Sequence, residues 1–469
     1  YEFGQEDTIN QRPVRVGKSY RAFTGDNGLF QGLVDDLQLY ERQLSELEVA
    51  AIAGVPVKMP GEEAIDASLE ALLQDHALLQ GSPERKAART ALKELRNQRI
   101  KLLKGVKEIM VMEEMPEARP MHVLDRGVYD SPLEEVFPGV PSSLGSFPED
   151  LPKNRLGLAQ WLVRPDHPLT SRVTVNRYWQ LFFGQGLVNT PDDFGNQGAL
   201  PTHPELLDWL ATQFMESGWD VKALNKLIVM SATYRQDSYT SPELQELDPQ
   251  NQWLARGPKH RLSAEMIRDH ALASSGLLVP HIGGPSAKPY QPDSLWIELG
   301  NFSADLMYYV PDTAEGLYRR SLYTFIRRTA PPPSMLIFDG STRNTCVVRR
   351  QNTNTPLQAL VLLNDPQYVE AARKLAERMQ KEGGEKVEDQ IAFAFRILTS
   401  RYPSAEEIQL FKSLYEQEKE SLEAAPDRAR ELLTVGESPA DPNLPAVETA
   451  SLAMLASTML NFDESYTKR

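Results

Sequence analysis

Cysteine is nearly absent. The 469-residue chain has one, Cys346, which excludes an internal disulfide and any CxxCH haem attachment within the chain. By itself the chain is therefore not a c-type cytochrome. Histidine is scarce as well: seven residues, at 76, 122, 167, 203, 260, 270 and 281, form no HExxH and no i,i+4 pair. A zinc or copper centre has no spacing to rest on, and no metal ligands are assigned. Calcium held by single carboxylates and backbone carbonyls leaves no spacing signature and stays open. No apolar run approaches the roughly 18–20 residues that cross a bilayer, so no membrane span is expected. Positive charge is in deficit, with 50 Lys and Arg against 65 Asp and Glu for a net charge of −15. That balance argues against sequence-blind nucleic-acid binding, which needs a basic face to displace counterions. The opening "YEFGQEDTIN" has no charged-then-apolar leader, so either the chain is cytosolic or its leader lies elsewhere.

What is present is the composition of an ordinary globular chain, 41% hydrophobic and 25% charged, long enough for several cores. The expected fold class is mainly α: a helical C-terminal domain, preceded by the last strands of a β jelly roll and a helical hairpin. Residues 1–40 alternate and turn like strands, as in "LVDDLQLYE", with Leu37 and Leu39 the expected core residues. A helical turn should follow, with Ser45 as N-cap, Glu48 completing the box and Gly54 as the stop. The stretch "GLVDDLQLYERQLSELEV" resembles the end of a laminin-G or concanavalin-like jelly roll, whose upstream strands an earlier part of the same protein would supply. Residues 55–108 turn to Leu, Ala, Glu, Lys and Arg at helical period and predict a helical hairpin, packed as an antiparallel pair. His76 within it is expected to be a packing or surface residue. Residues 109–153 are punctuated by proline and predict an extended wrap across another domain, in which "LDRGVYDSP" is either linker or cleft lining. Residues 154–469 predict helices at 155–163, 171–182, 204–216, 221–231, 263–277, 356–364, 366–381, 388–399, 405–422 and 447–460, with short strands near "LYRRSLYTFIRR". Capping boxes are read at Thr202–Glu205, Thr355–Gln358 and Ser404–Glu407.

Two regions carry candidate chemistry. In "SRVTVNRYWQLFFGQGLV", Arg172, Asn176 and Trp179 fall on one helix face beside Arg177, a set suited to a carboxylate or a sugar, or else to satisfying the loop 184–201. Downstream, "MSATYRQDS" places Tyr234, Arg235 and Gln236 at a helix end, where they anchor that helix to the loop above. The second region is an arginine field of Arg319, Arg320, Arg327, Arg328, Arg343, Arg349 and Arg350, with no lysine and Asp339 as its one acid. Arginine without lysine points to bidentate pairing, either with internal carboxylates or with a uronate, a sulfate or a haem propionate from outside. Cys346 inside that field is either a buried, inert thiol or an activated nucleophile. His203 and Asp208 are weak catalytic candidates, because a base pair needs closer geometry than spacing can establish.

The segments "NRLGLAQWLVRPDHPLTSRVTVNRYWQLFFGQGLV", "DDFGNQG", "HPELLDWLA", "SATYRQ", "RLSAEMIRD", "YRRSLYTFIRRTAPPPSM" and "CVVRRQNTNTPLQALVLLNDP" together closely resemble planctomycete-specific domain one, over roughly residues 109–465. That domain has no established function, so the resemblance supplies no catalytic residues. It implies an exported, periplasmic or cell-surface multidomain protein with a c-type cytochrome domain upstream, sometimes with a laminin-G-like module between. Haem c is then expected on the upstream part or on a partner and not within this chain. The reading that follows is a protein binding or oxidatively processing carbohydrate, a polysaccharide being the implied partner. Its rivals are a non-catalytic scaffold joining lectin-like and cytochrome parts, and a hydrolase using Asp and Glu of residues 192–208.

Overall fold

The computed structural model describes residues 37–40, 44–55, 67–80, 83–104, 106, 109–298 and 308–468. The strands expected over residues 1–36 lie outside them. Two compact units divide at Arg119–Pro120.

In the first unit the Ser45–Glu48 capping box opens the helix Glu46–Ile52 as expected. The hairpin helices also form, at Ala67–Gln80 and Pro83–Lys104. Leu92, Leu95 and Leu102 of the apolar stripe are all exposed, where packing as a pair would cover them. Leu37 and Leu39 are 61% and 78% exposed; residues 37–40 belong to no ladder among the described residues, so no sheet face holds them. His76 accepts or donates a 2.8 Å hydrogen bond at Ser45 Oγ, tying two helices together.

The second unit opens with a hairpin, Met121–Leu124 antiparallel to Pro132–Val136. Residues 109–130 are exposed throughout, whereas Val140, Leu144, Phe147 and Leu151 are half-buried. The reversal is local: Arg126 and Gly127 adopt positive φ, and the Asp125 N–H donates to the Ser131 carbonyl at 3.0 Å.

All ten helices expected after residue 154 are present, within about two residues at each end. Two large cores hold most of them. One gathers Val175, Trp179 and Phe183 of Thr170–Phe183 against Leu207, Leu210 and Phe214 of Pro204–Glu216 and Leu224 and Ile228 of Val221–Met230. The other centres on Pro366–Glu382 and Ala446–Leu460, joined by Ala264–Ser275, Val387–Thr399 and Ala405–Glu423, with Leu375, Ala376, Ile391, Leu455 and Ala456 fully buried. Asp365 caps the central helix by accepting the Gln367 N–H at 3.0 Å, with Pro366 at the first position, where its missing N–H is no loss. Pro242–Leu247, Leu295–Glu298, Pro333–Ile337, Pro426–Leu433 and Asp463–Tyr466 were not expected; all are eight residues or shorter, too brief to show a period. The box at 404–407 forms, and Gln358 accepts the Thr355 N–H. The box at Thr202 does not. His203 is the N-cap there, and Thr202 instead donates to the Leu187 carbonyl. Near "LYRRSLYTFIRR" the chain forms 3-10 turns, Ala314–Tyr318 and Ser321–Tyr323, with isolated bridges such as Ala287 to Thr324 in place of strands.

Candidate anion-binding cleft

A cleft of about 1180 Å³ opens where the first core's helix Thr170–Phe183 meets residues 249–269 and 338–352. Its geometry begins with the turn after Phe183. Gly184 has φ 78°, and a Cβ there would meet the His260 ring at 3.0 Å. At Gly186 a Cβ would lie 2.6 Å from Asn176 Nδ2. Asn176, fully buried, donates from Nδ2 to the Val188 carbonyl at 3.0 Å and accepts the Val188 N–H at 2.8 Å. The amide is a clamp on the loop and not a ligand group. Trp179 is buried and stacks on Phe183 at 4.1 Å. Arg172 pairs with Asp208 at 2.6 Å and donates to the Pro168 carbonyl. Of the four candidates on that helix, only Arg177 remains exposed in the cleft.

The facing wall is organised by "RLSAEMIRD". Ser263 accepts the Met266 N–H and starts the helix Ala264–Ser275. Arg261, stacked near the Phe338 ring, pairs with Asp339 at 2.5 Å and donates to Asn352 Oδ1 at 3.0 Å. Asp339 also accepts the Thr353 N–H at 2.8 Å and its hydroxyl at 3.0 Å. Glu265 accepts both Nη groups of Arg350, at 2.6 and 3.0 Å. Burial acts to raise the Glu265 carboxyl, and the Arg350 guanidinium overcomes it, leaving the group below the usual carboxylate range. Arg268, buried, donates to the Leu317 and Arg319 carbonyls and to Gln367. Asp269 accepts the Ser321 N–H at 2.7 Å. This one short motif thus fixes residues 317–321 on one side and 339–353 on the other.

The lining carries a marked charge bias for a chain of net charge −15. Its cations are Arg177, Arg256, Lys259, Arg261, Arg343, Arg349 and Arg350; its carboxylates are Glu265, Asp269 and Asp339, each engaged as described. Arg349 reaches across to donate to the Asn189 carbonyl at 3.3 Å. Arg177, Lys259 and Arg343 are exposed, and their side chains have no hydrogen-bond or ion-pair partner among the described residues. A concave wall of one charge sign focuses the field and concentrates counter-ions. Burial, with Lys468 nearby, pushes His260 below its ordinary value and keeps it neutral at pH 7. The C-terminal pair Thr467–Lys468 is hydrogen-bonded antiparallel to His260–Arg261.

The arginine field is not one site. Arg319 is buried over the Tyr323 ring and donates to the Gly283 and Pro285 carbonyls. Arg327 is buried against Trp296. Arg320 and Arg328 are exposed outside the cleft lining, and only Arg343, Arg349 and Arg350 reach the cleft. Arg235 is exposed and also lies outside the lining. Tyr234 packs on Phe182 and Phe183, and Gln236 donates to the Thr233 and Leu254 carbonyls, so these two tie the helix end to Thr170–Phe183 and to Leu254 instead of to the loop 184–201. Cys346 is exposed, not buried, because it sits in a segment without helix or strand to carry it inward. His203 meets Thr202 Oγ1 at 3.0 Å while Asp208 is taken by Arg172, so the two make no catalytic pair. The Arg172 hydrogen bond holds Asp208 below the usual carboxylate range. No group of three or more potential metal ligands occurs among the described residues.

Lys259, Arg256 and His260 escaped the sequence reading. The available signal was "RGPKHRL", three cations and a histidine running into the N-cap Ser263. No curated protein and no solved structure is significantly similar to the chain. Residues 154–415, more than half of the chain, match the family model described as PSD1, protein of unknown function (DUF1553). That span contains both walls of the cleft, and the chain belongs to the PSD1 family.

Proposed function

We propose that this chain binds an acidic carbohydrate in the cleft, acting as the C-terminal portion of an exported protein whose upstream part carries a laminin-G-like module and a c-type cytochrome domain. The observation that carries the binding reading is the trio Arg177, Lys259 and Arg343, exposed and without a side-chain partner among the described residues, in a cleft whose carboxylates are all engaged. Its volume of about 1180 Å³ exceeds that of common small-molecule pockets, roughly 300–1,000 Å³, and suits an extended oligomer better than a lone anion. With Glu265 and Asp339 both ion-paired, the cleft offers no free carboxylate pair of the kind glycoside hydrolysis uses. Binding without hydrolysis is therefore favoured. The upstream domains rest on the family resemblance.

A second reading, the scaffold, draws support from the hairpin 121–136 and the residue after it, where Met121, Tyr129, Leu133 and Phe137 are exposed. Calorimetric titration with a galacturonate oligomer at low and moderate salt tests the first reading. Binding that weakens with salt and is lost in Arg177→Gln/Lys259→Gln/Arg343→Gln supports it; no binding by the wild type to galacturonate or to a sulfated galactan oligomer rejects it.

A further inference from the structure

The two walls of the cleft are held unequally. On one side Asn189 lies between two fixed residues: Val188, clamped by Asn176 through both main-chain groups, and Thr190, whose hydroxyl donates to the Asp193 carbonyl at 2.8 Å and accepts the Ala199 N–H at 2.9 Å. The other side is a loop closed at its base. Asp339 accepts the N–H and the hydroxyl of Thr353, Asn352 accepts from Arg261, and Arg350 is paired with Glu265. The chain between Asp339 and Thr353 is thus an Ω-loop, its two ends brought together.

Beyond its base that loop is scarcely held. Residues 341–348 form neither helix nor strand and make no main-chain to main-chain hydrogen bond among the described residues. Their one hydrogen bond is local, from the Arg343 N–H to Ser341 Oγ at 3.1 Å. Residues 342–347 are exposed. A segment with no ladder and few buried side chains belongs to the low-stability end of a fold. It is nonetheless part of the site, because Arg343, Val347, Val348 and Arg349 line the cleft. Its hydrogen bond to the opposite wall is the one from Arg349 to the Asn189 carbonyl, at 3.3 Å and exposed. An entering carboxylate or sulfate offers that guanidinium a full opposite charge and two oxygens in fork geometry, which a single neutral carbonyl does not.

We infer that residues 341–349 are a strap across the cleft: Arg349 latches it to the Asn189 carbonyl in the free chain, and an anionic ligand takes over the latch, drawing Arg349 and Arg343 onto itself and ordering the strap. The fixed wall keeps the site's shape while the strap adapts to the ligand. The takeover by ligand rests on the anion-binding reading above; the latch in the free chain does not. Cys346, the chain's single cysteine, is exposed in the strap and lies outside the cleft lining. A nitroxide attached to it therefore reports the strap without occupying the cleft, and loop motion falls on the nanosecond and slower scale that such a label senses.

The test is the spin-resonance spectrum of the whole chain labelled at Cys346, with and without a galacturonate oligomer, in wild type, Arg349→Ala and, as a control, Arg320→Ala, an exposed arginine outside the lining. Calorimetric titration of the same labelled chains runs in parallel. In the free chain the label should tumble about twofold faster in Arg349→Ala than in wild type and as in wild type in Arg320→Ala. The oligomer should slow the label about twofold or more in wild type, and its affinity should fall about tenfold in Arg349→Ala, the scale of one charged hydrogen bond. If Arg349→Ala leaves the free spectrum unchanged, the latch is overturned. If the oligomer binds wild type and the label's mobility stays the same, the ligand-ordered strap is overturned and the anion reading stands. If the oligomer does not bind wild type, the anion reading and the takeover by ligand fall together, and the free-chain comparison alone decides the latch.

Discussion

The interior of the larger core and the rim of the cleft use arginine in opposite ways. Inside, Arg373 is fully buried and bonds Glu377 at 3.2 Å, with Glu370 3.7 Å away. Glu370 in turn accepts the hydroxyls of Tyr290 and Tyr318 and the Ser438 N–H. Arg268 is likewise held, mostly by main-chain carbonyls, and Arg319 donates from both Nη groups to main-chain carbonyls. At the rim, Arg177 and Arg343 have no partner among the described residues. Pairing is what a buried cation requires, since removal from water is tolerated only with partners and hydrogen bonds. Partnerless exposure is what a binding surface requires. Residue type alone does not separate the two roles; burial does.

The comparison breaks most visibly at Arg373. Arg373→Met leaves buried Glu370 without its cation and Glu377 with Lys374 alone, and should destabilise the chain by about 3–5 kcal/mol, read from urea unfolding. A loss under about 1 kcal/mol would mean the interior network is not structural. Asn176→Ala strips the clamp from the buried Val188 N–H and carbonyl and should cost about 2–3 kcal/mol in the same measurement.

Arg401 stands between the extremes, half exposed yet paired with Glu407 and Glu464, both at 2.6 Å. Its hydrogen bonds hold the Glu407 carboxyl down to about 2, from an ordinary 4.5. A lowered folded-state value contributes stability above the unfolded value, which is lost as pH falls from 4.5 towards 2. After discount for solvent screening, about 1 kcal/mol should disappear over that window, and Glu407→Gln should flatten this part of the acid-unfolding curve. Smallest of all, Arg343→Gln should change stability by less than about 0.5 kcal/mol while weakening oligomer binding. A large stability loss there would place Arg343 with the interior arginines.

The helical domain was legible because its boundaries are written in local chemistry: Asp365–Pro366 and Ser404–Glu407 form the caps their residues imply. The Thr202 box failed because the Leu187 carbonyl, brought near by the tertiary fold, took the hydroxyl. The cleft was legible only in part. Arg177, Arg343, Arg349 and Arg350 were singled out by type, but so were Arg319 and Arg327, which the fold carries inward. What distinguishes them is long-range pairing, such as Arg261 with Asp339 across 78 residues, and no period or spacing encodes that.

The most direct test of the central claim is a crystal structure of the protein grown with a galacturonate oligomer. The account predicts the oligomer in the cleft, its carboxylates within hydrogen-bond reach of Arg177, Lys259 or Arg343. An oligomer bound elsewhere on the surface, with those three side chains untouched, would contradict it.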